Sequence, residues 1–212
     1  MICTNDRAIL YDMTTATHPV KRASTRDLIL GHAYAMARKN GLEGLSIGTL
    51  AADVEMSKSG VFAHFGSRED LQLALLDAGG ERFAAKVLLP ALKQPRGLPR
   101  LRAIVANWSE WAREHQSGCV LLSAAGEYDG RNGALHDKVV SQQAEWRGGL
   151  QKAIAQAVTA GHLHSDTDTA QLAFEIYALM LGLHHDAGLF GYDEAGQRAA
   201  QAFERLWRSW QS

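Results

Sequence analysis

Residues 46–71 read SIGTLAADVEMSKSGVFAHFGSREDL, and their alternation of serines, short apolar runs and tight breaks decides the fold. Ser46 can cap a short helix that carries Ala51 and Val54. Glu55-Met56-Ser57 makes a tight turn, and Ser57 caps a further short helix from Lys58 to Phe65. Gly66-Ser67 breaks the chain again, and Ser67 with Asp70 forms a capping box for a longer helix. In the Lys58–Phe65 helix only Val61 and Phe65, at i and i+4, can face inward. Lys58, Ser59, Phe62, Ala63 and His64 fall on other faces. So short a helix does not stand alone in water. Neighbours must pin it through a few contacts, which leaves most of its surface for a partner. That is the layout of a helix-turn-helix, whose second helix lies in the DNA major groove.

The residue types suit that partner. Ser57, Ser59 and Gly60 keep side chains short where backbone approaches backbone, and the free N–H groups at a helix start favour phosphate. Lys58 adds a mobile cation. Arg68 can hold a second phosphate, and His64 can donate to one.

Working outward, a helix runs from Ser24 or Thr25 to the stop signal Asn40-Gly41, with Asp27 in its first turn and Leu28, Ile29, Ala33, Met36 and Ala37 at helical spacing. Residues 1–23 carry little periodicity and read as a flexible arm, within which Met13 offers an alternative start. The fourth helix extends from Ser67 to about Leu89, where Pro90, Pro95, Gly97 and Pro99 mark a boundary or kink. Further helices are predicted near 98–116, 119–128, 135–160, 166–189 and 193–210. The expected fold is all-α: an arm (1–23), a three-helix helix-turn-helix domain (24–70) and a larger helical domain (71–212).

Composition sets bounds on function. The 212 residues are 46% hydrophobic, which excludes disorder as the default, and Ala and Leu dominate over β-branched runs. The formal net charge of -1 gives no global nucleic-acid signal. Between Pro19 and Leu76, Lys21, Arg22, Arg26, Arg38, Lys39, Lys58 and Arg68 nearly balance Asp27, Glu43, Asp53, Glu55, Glu69 and Asp70. A DNA surface must therefore come from the placement of cations. The two cysteines, Cys3 and Cys119, are far apart, which argues against a disulfide and fits a reducing cytoplasm. Neither a signal peptide nor an apolar run long enough for a membrane span is expected.

The run from Ser46 to Leu71, extended to Thr25–Leu76, resembles the DNA-binding signature of the TetR family of bacterial repressors. The resemblance implies that Thr49 and Ser59 touch DNA backbone or bases and that Lys58 and His64 make backbone contacts. Arg68 occupies the place of a phosphate-binding lysine. One position departs: most members carry tyrosine, whose hydroxyl bonds a phosphate, where this chain has Phe62. The later stretches from Gly118 to Asp129 and from Phe174 to His185 look similar to one branch of the family. This implies a homodimer built on the last two helices. Their apolar stripes are Leu172, Ile176, Leu179, Met180 and Leu183 on one, and Ala199, Ala202, Phe203, Leu206, Trp207 and Trp210 on the other. It also implies an effector pocket in the C-terminal core, with Trp108, Trp111, Cys119, Tyr128, Trp146, Phe174, Tyr177 and Met180 as candidates. Such a pocket would take an apolar or aromatic small molecule. The expected function is a cytoplasmic bacterial regulator, released from a palindromic operator in double-stranded DNA by a ligand and needing no cofactor.

Competing chemistry finds little support. Cys119 lies among Val120, Leu121 and Leu122 and reads as a buried structural thiol rather than a nucleophile. His162, His164, Asp166 and Asp168, and the His184-His185-Asp186 run, lack diagnostic metal spacing and read as helix-end and surface groups. Glu127-Tyr128-Asp129 reads as a solvated helix end rather than a pair of catalytic acids.

Overall fold

A computed structural model describes residues 24–211. The arm, with Cys3 and Met13, lies outside the described residues. Every regular element among them is helical: α1 (Thr25–Asn40), α2 (Ile47–Asp53), α3 (Lys58–Phe65), α4 (Arg68–Phe83), α5 (Leu98–Glu114), α6 (Val120–Tyr128), α7 (Ala134–Thr159), α8 (Thr169–Phe190) and α9 (Tyr192–Trp210). Among them no helix is long and apolar enough to cross a membrane.

The termini follow from local chemistry. Ser24 and Asp27 form a reciprocal capping box, the Asp27 N–H reaching the serine Oγ at 3.2 Å and the Ser24 N–H reaching the carboxylate at 3.0 Å. Gly41, at φ 73°, ends α1 in the left-handed region open to glycine. The Ser67 Oγ accepts the Asp70 N–H at 3.0 Å and opens α4. Beyond Phe83 the coil widens into a π-helical turn, Ala84–Leu88, before a last turn at Leu89–Ala91. Pro90 supplies the reason: it has no N–H to donate, and its ring crowds the carbonyl four residues back, so the ladder shifts to i→i+5, with Leu89 N–H bonded to Ala84 O.

The chain divides into two compact units. One comprises 24–81 with Ser117–Gln142. Its core joins Ile29, Ala33 and Ala37 of α1 to Leu50, Val61, Leu71 and Leu75, and then to Val120, Ala124 and Tyr128 of α6 and Leu135 and Val139 of α7. This unit is therefore larger than 24–70, because α6 and the start of α7 share its apolar interior. Each fully buried leucine in it contributes roughly 1.5–3 kcal/mol. The other unit comprises Arg82–Gln116 with 143–211. There α8 packs along α9 and α5, burying Leu101, Ile104, Leu172, Ile176, Leu183, Phe203 and Trp207.

Candidate DNA interface and effector core

The turn between α2 and α3 is a Schellman motif. Met56 N–H bonds Ala51 O at 2.8 Å and Glu55 N–H bonds Ala52 O at 3.2 Å. Glu55, at φ 54°, occupies the left-handed position that glycine usually fills. Ser57 then caps α3 by accepting the Gly60 N–H at 3.1 Å. Val61 and Phe65 are the buried residues of α3. Thr49, Ser57, Lys58, Ser59, Phe62, Ala63 and His64 are exposed, while Gly60 and Arg68 are half-buried.

Two of the residues singled out in the sequence have internal work. A Cβ on Gly60 would lie 3.1 Å from Met56 Cε and 3.3 Å from Ser57 Oγ, so a larger residue there would need Met56 or Ser57 to shift by a few tenths of an ångström. The Arg68 guanidinium donates to the carbonyls of Glu43 at 2.6 Å and Leu45 at 3.2 Å, and pairs with the Glu43 carboxylate at 3.3 Å. Sequence reading counts Arg26 only as a cation, whereas its guanidinium lies over the Phe65 ring at 4.7 Å. No local pattern signals that contact.

Side chains from α4 and α6 hold the loop between α1 and α2. Glu127 is not a solvated helix end: its carboxylate accepts the N–H groups of Leu42 at 3.1 Å and Glu43 at 2.8 Å. Gln72 Nε2 donates to Leu42 O at 2.8 Å. The Glu43 carboxylate receives the Tyr128 hydroxyl at 2.6 Å and the Arg131 guanidinium at 3.0 Å. The Tyr128 hydrogen bond, with Arg68 and Arg131 nearby, holds the Glu43 carboxyl below the usual carboxylate range. Burial, and then the bond to Glu43, pushes the Tyr128 phenol well above its ordinary value. An open groove of about 360 Å³ runs past Glu43, Arg68, Gln72, Tyr128 and Arg131.

In the other unit, Phe83, Trp108, Trp111, Trp146 and Tyr177 form a buried aromatic cluster. Phe83 meets Trp146 edge to face at 4.8 Å, Trp111 at 5.4 Å and Trp108 at 5.8 Å. Trp108 meets Trp146 at 4.9 Å and Tyr177 at 5.8 Å. Met180 adjoins the cluster's helices through a Ser109 hydroxyl 3.8 Å from its sulfur. The Trp146 indole N–H is buried without a hydrogen-bond partner among the described residues. The structure thus brings together Trp108, Trp111, Trp146 and Tyr177 and adds Phe83, which sequence reading left as a residue of α4. It does not bring in the other candidates. Cys119 and Tyr128 belong to the other unit's interior, and Phe174 is 57% exposed.

The histidines and the predicted dimer stripes also find their places. His162 Nδ1 accepts the Leu98 N–H at 3.1 Å and so caps α5. Leu172, Ile176, Leu183, Phe203 and Trp207 are buried within this one chain, with Leu179 and Leu206 half-buried. These side chains hold α8, α9 and α5 together within the chain, with Leu179 and Leu206 left partly accessible. The exposed apolar side chains of α8 are Phe174, Leu181, Leu189 and Phe190.

A chain whose described elements are all helical and whose α2–turn–α3 presents an open face has the architecture of a helix-turn-helix DNA-binding regulator. Residues 29–75 match the family described as bacterial regulatory proteins, tetR family, and residues 97–203 match the tetracyclin repressor-like C-terminal domain. The chain belongs to the TetR family. Among solved structures it is similar to a TetR transcriptional regulator from Chloroflexus aurantiacus J-10-FL (26% identity over 87% of this chain and 92% of that one, TM-score 0.73). It shares its fold with SCO4454, a TetR-family regulator from Streptomyces coelicolor (21% identity, 88% and 96%, TM-score 0.77). It shares it also with AibR, solved in complex with isovaleryl coenzyme A and operator DNA (21%, 84% and 97%, TM-score 0.68). No curated protein matches the sequence.

Proposed function

We propose that this regulator is a repressor that grips a palindromic operator as a homodimer and lets go when a small molecule enters its aromatic core. The observation that carries the reading is the division of α3: Val61 and Phe65 anchor it, while Lys58, Ser59, Phe62, Ala63 and His64 face outward. Lys58 and His64 serve the phosphates, Ser59 and Thr49 the groove edge.

The effector is apolar or aromatic and carries a hydrogen-bond acceptor. Its site is the Phe83–Trp108–Trp111–Trp146–Tyr177 cluster, whose Trp146 N–H stands buried and unpaired. A buried donor left unmatched costs about 1–3 kcal/mol, which an acceptor on the ligand would recover. That AibR was solved with an acyl-coenzyme A and operator DNA supports a ligand-plus-operator logic on this fold. For dimerisation, Phe174, Leu181 and Leu189 recur along α8 at intervals that keep them on one side, and a dimer joined there would offer two α3 helices to a palindrome, whose half-sites lie one DNA turn, about 34 Å, apart. Ligand acts only through different affinities for the bound and released states.

The test is fluorescence anisotropy of the full chain against the DNA upstream of its own and neighbouring genes, at low and moderate salt. Tight, salt-sensitive binding that random DNA does not compete away is expected. Binding lost to random competitor, there and with duplexes selected from a random pool, overturns the reading. A molecule that quenches the tryptophans equally with and without operator refutes the induction step.

A further inference from the structure

We propose that Phe62 and Ala63 read thymine methyl groups, so that α3 recognises its operator partly through apolar contact. The inference rests on α3 entering the major groove, as proposed above. At 100° per residue, Ser59 and Ala63 lie on the side of α3 opposite Val61 and Phe65, and Phe62 flanks them between Ser59 and Lys58. Lys58 falls on one rim of that face and His64 on the other. A helix lying in the groove turns its rims toward the two phosphate backbones and its centre toward the base edges. Ser59 and Ala63 are therefore central; Phe62 stands between them and the Lys58 rim, and at 38% exposure it is one of the large apolar side chains left at the surface. Its ring has no group with which to bond a phosphate.

In the major groove the apolar feature of the base edges is the thymine C5 methyl, which phenylalanine and alanine side chains contact. Ser59, whose hydroxyl is 3.0 Å from that of Ser57, supplies the polar element of the same face. The face is thus matched to half-sites in which thymines stand where Phe62 and Ala63 arrive.

The test starts from duplexes selected out of a random 30-base-pair pool by the full-length protein. Each thymine of the selected half-site is then replaced by deoxyuridine, which deletes the methyl and keeps every hydrogen-bonding group. The expected result is at least one position per half-site where the wild type loses about three- to fivefold in affinity. Phe62→Tyr keeps that discrimination and Phe62→Ala abolishes it. Equal binding of thymine and uracil duplexes by the wild type overturns the proposal, as does discrimination that survives both Phe62→Ala and Ala63→Gly. Should Phe62→Ala fail to fold, the wild-type comparison alone decides. A selection that yields no sequence at all defeats the DNA-reading assignment of α3 and this proposal with it, whereas a selected but uracil-tolerant site defeats this proposal alone.

Discussion

Tyr128 and Glu43 stand 85 positions apart in the chain, and the tyrosine hydroxyl donates to the carboxylate at 2.6 Å. Beside it the Glu127 carboxylate accepts two consecutive backbone N–H groups, of Leu42 and Glu43. The end of α6 thereby fixes the loop that leads into α2, and through α2 the entry to α3. The position of α3 thus depends on residues outside the helix-turn-helix itself.

Removing the clamp should loosen the head. Glu127→Ala leaves the Leu42 and Glu43 N–H groups without that acceptor and is expected to cost roughly 1–3 kcal/mol in urea denaturation. Tyr128→Phe, which removes one donor, should cost less. Because the folded-state pKa of Glu43 is depressed, its contribution is present above the ordinary carboxylate value of 4.5 and is lost as pH falls through the folded value. Tyr128→Phe should weaken that acid dependence; an unchanged acid limb would contradict it.

Arg68 and Lys58 should separate by assay. Arg68 is committed to the Glu43 and Leu45 carbonyls, so Arg68→Ala should lower thermal stability while leaving the salt slope of DNA binding nearly intact. Lys58, exposed on the rim of α3, should do the reverse, its alanine variant losing about one unit of salt slope at unchanged Tm. Anisotropy titrations over a salt series, beside melting curves, read both.

Glu55 adopts φ 54° at the glycine position of a Schellman motif. Glu55→Gly should therefore stabilise the protein, by about 0.5–1 kcal/mol, since glycine reaches this region without Cβ crowding. A lower melting temperature for the glycine variant would show that the glutamate side chain contributes more than its backbone strain costs.

The aromatic cluster should be the most sensitive part of the second unit. Phe83 meets three tryptophans edge-on, and Phe83→Ala is expected to cost about 3–5 kcal/mol. Urea denaturation followed by tryptophan emission measures it, and a loss under 1 kcal/mol would mean that the cluster collapses freely into the gap.

Burial, with His115 nearby, lowers the His184 pKa from its ordinary 6.5. The unfolded chain then binds the proton more readily. Stability should fall as pH drops below 6.5 and level off under the folded value. His184→Gln should flatten that stretch of the pH–stability curve; an identical slope in the variant would assign it elsewhere.

The helices were largely legible because their signals are local. Ser24, Ser46, Ser57 and Ser67 each cap a backbone N–H three residues on, and Gly41 and Gly66 end helices at positive φ. The α3 bounds, Lys58 to Phe65, could be read directly from Ser57 and Gly66. The site was legible only where it is local as well. The outward face of α3 follows from periodicity, but the partners of Arg68 and Glu127 do not, because they come from segments tens of residues away that only packing brings together.

Periodicity also finds an apolar stripe without saying what covers it. On α8 it identifies Leu172, Ile176 and Leu183, yet nothing in the stripe distinguishes a neighbouring helix of the same chain from one in a second copy. The sequence by itself determined the helix starts and stops, the helix-turn-helix and the inward pair Val61 and Phe65, since each depends on residues within one or two turns. The tertiary structure decided the rest: that α6 belongs with the reading head, that Glu127 and Tyr128 hold its loop, and that Phe174 rather than Leu172 faces outward. Those outcomes depend on which surfaces meet when the whole apolar interior closes, and no stretch of a few turns carries that information.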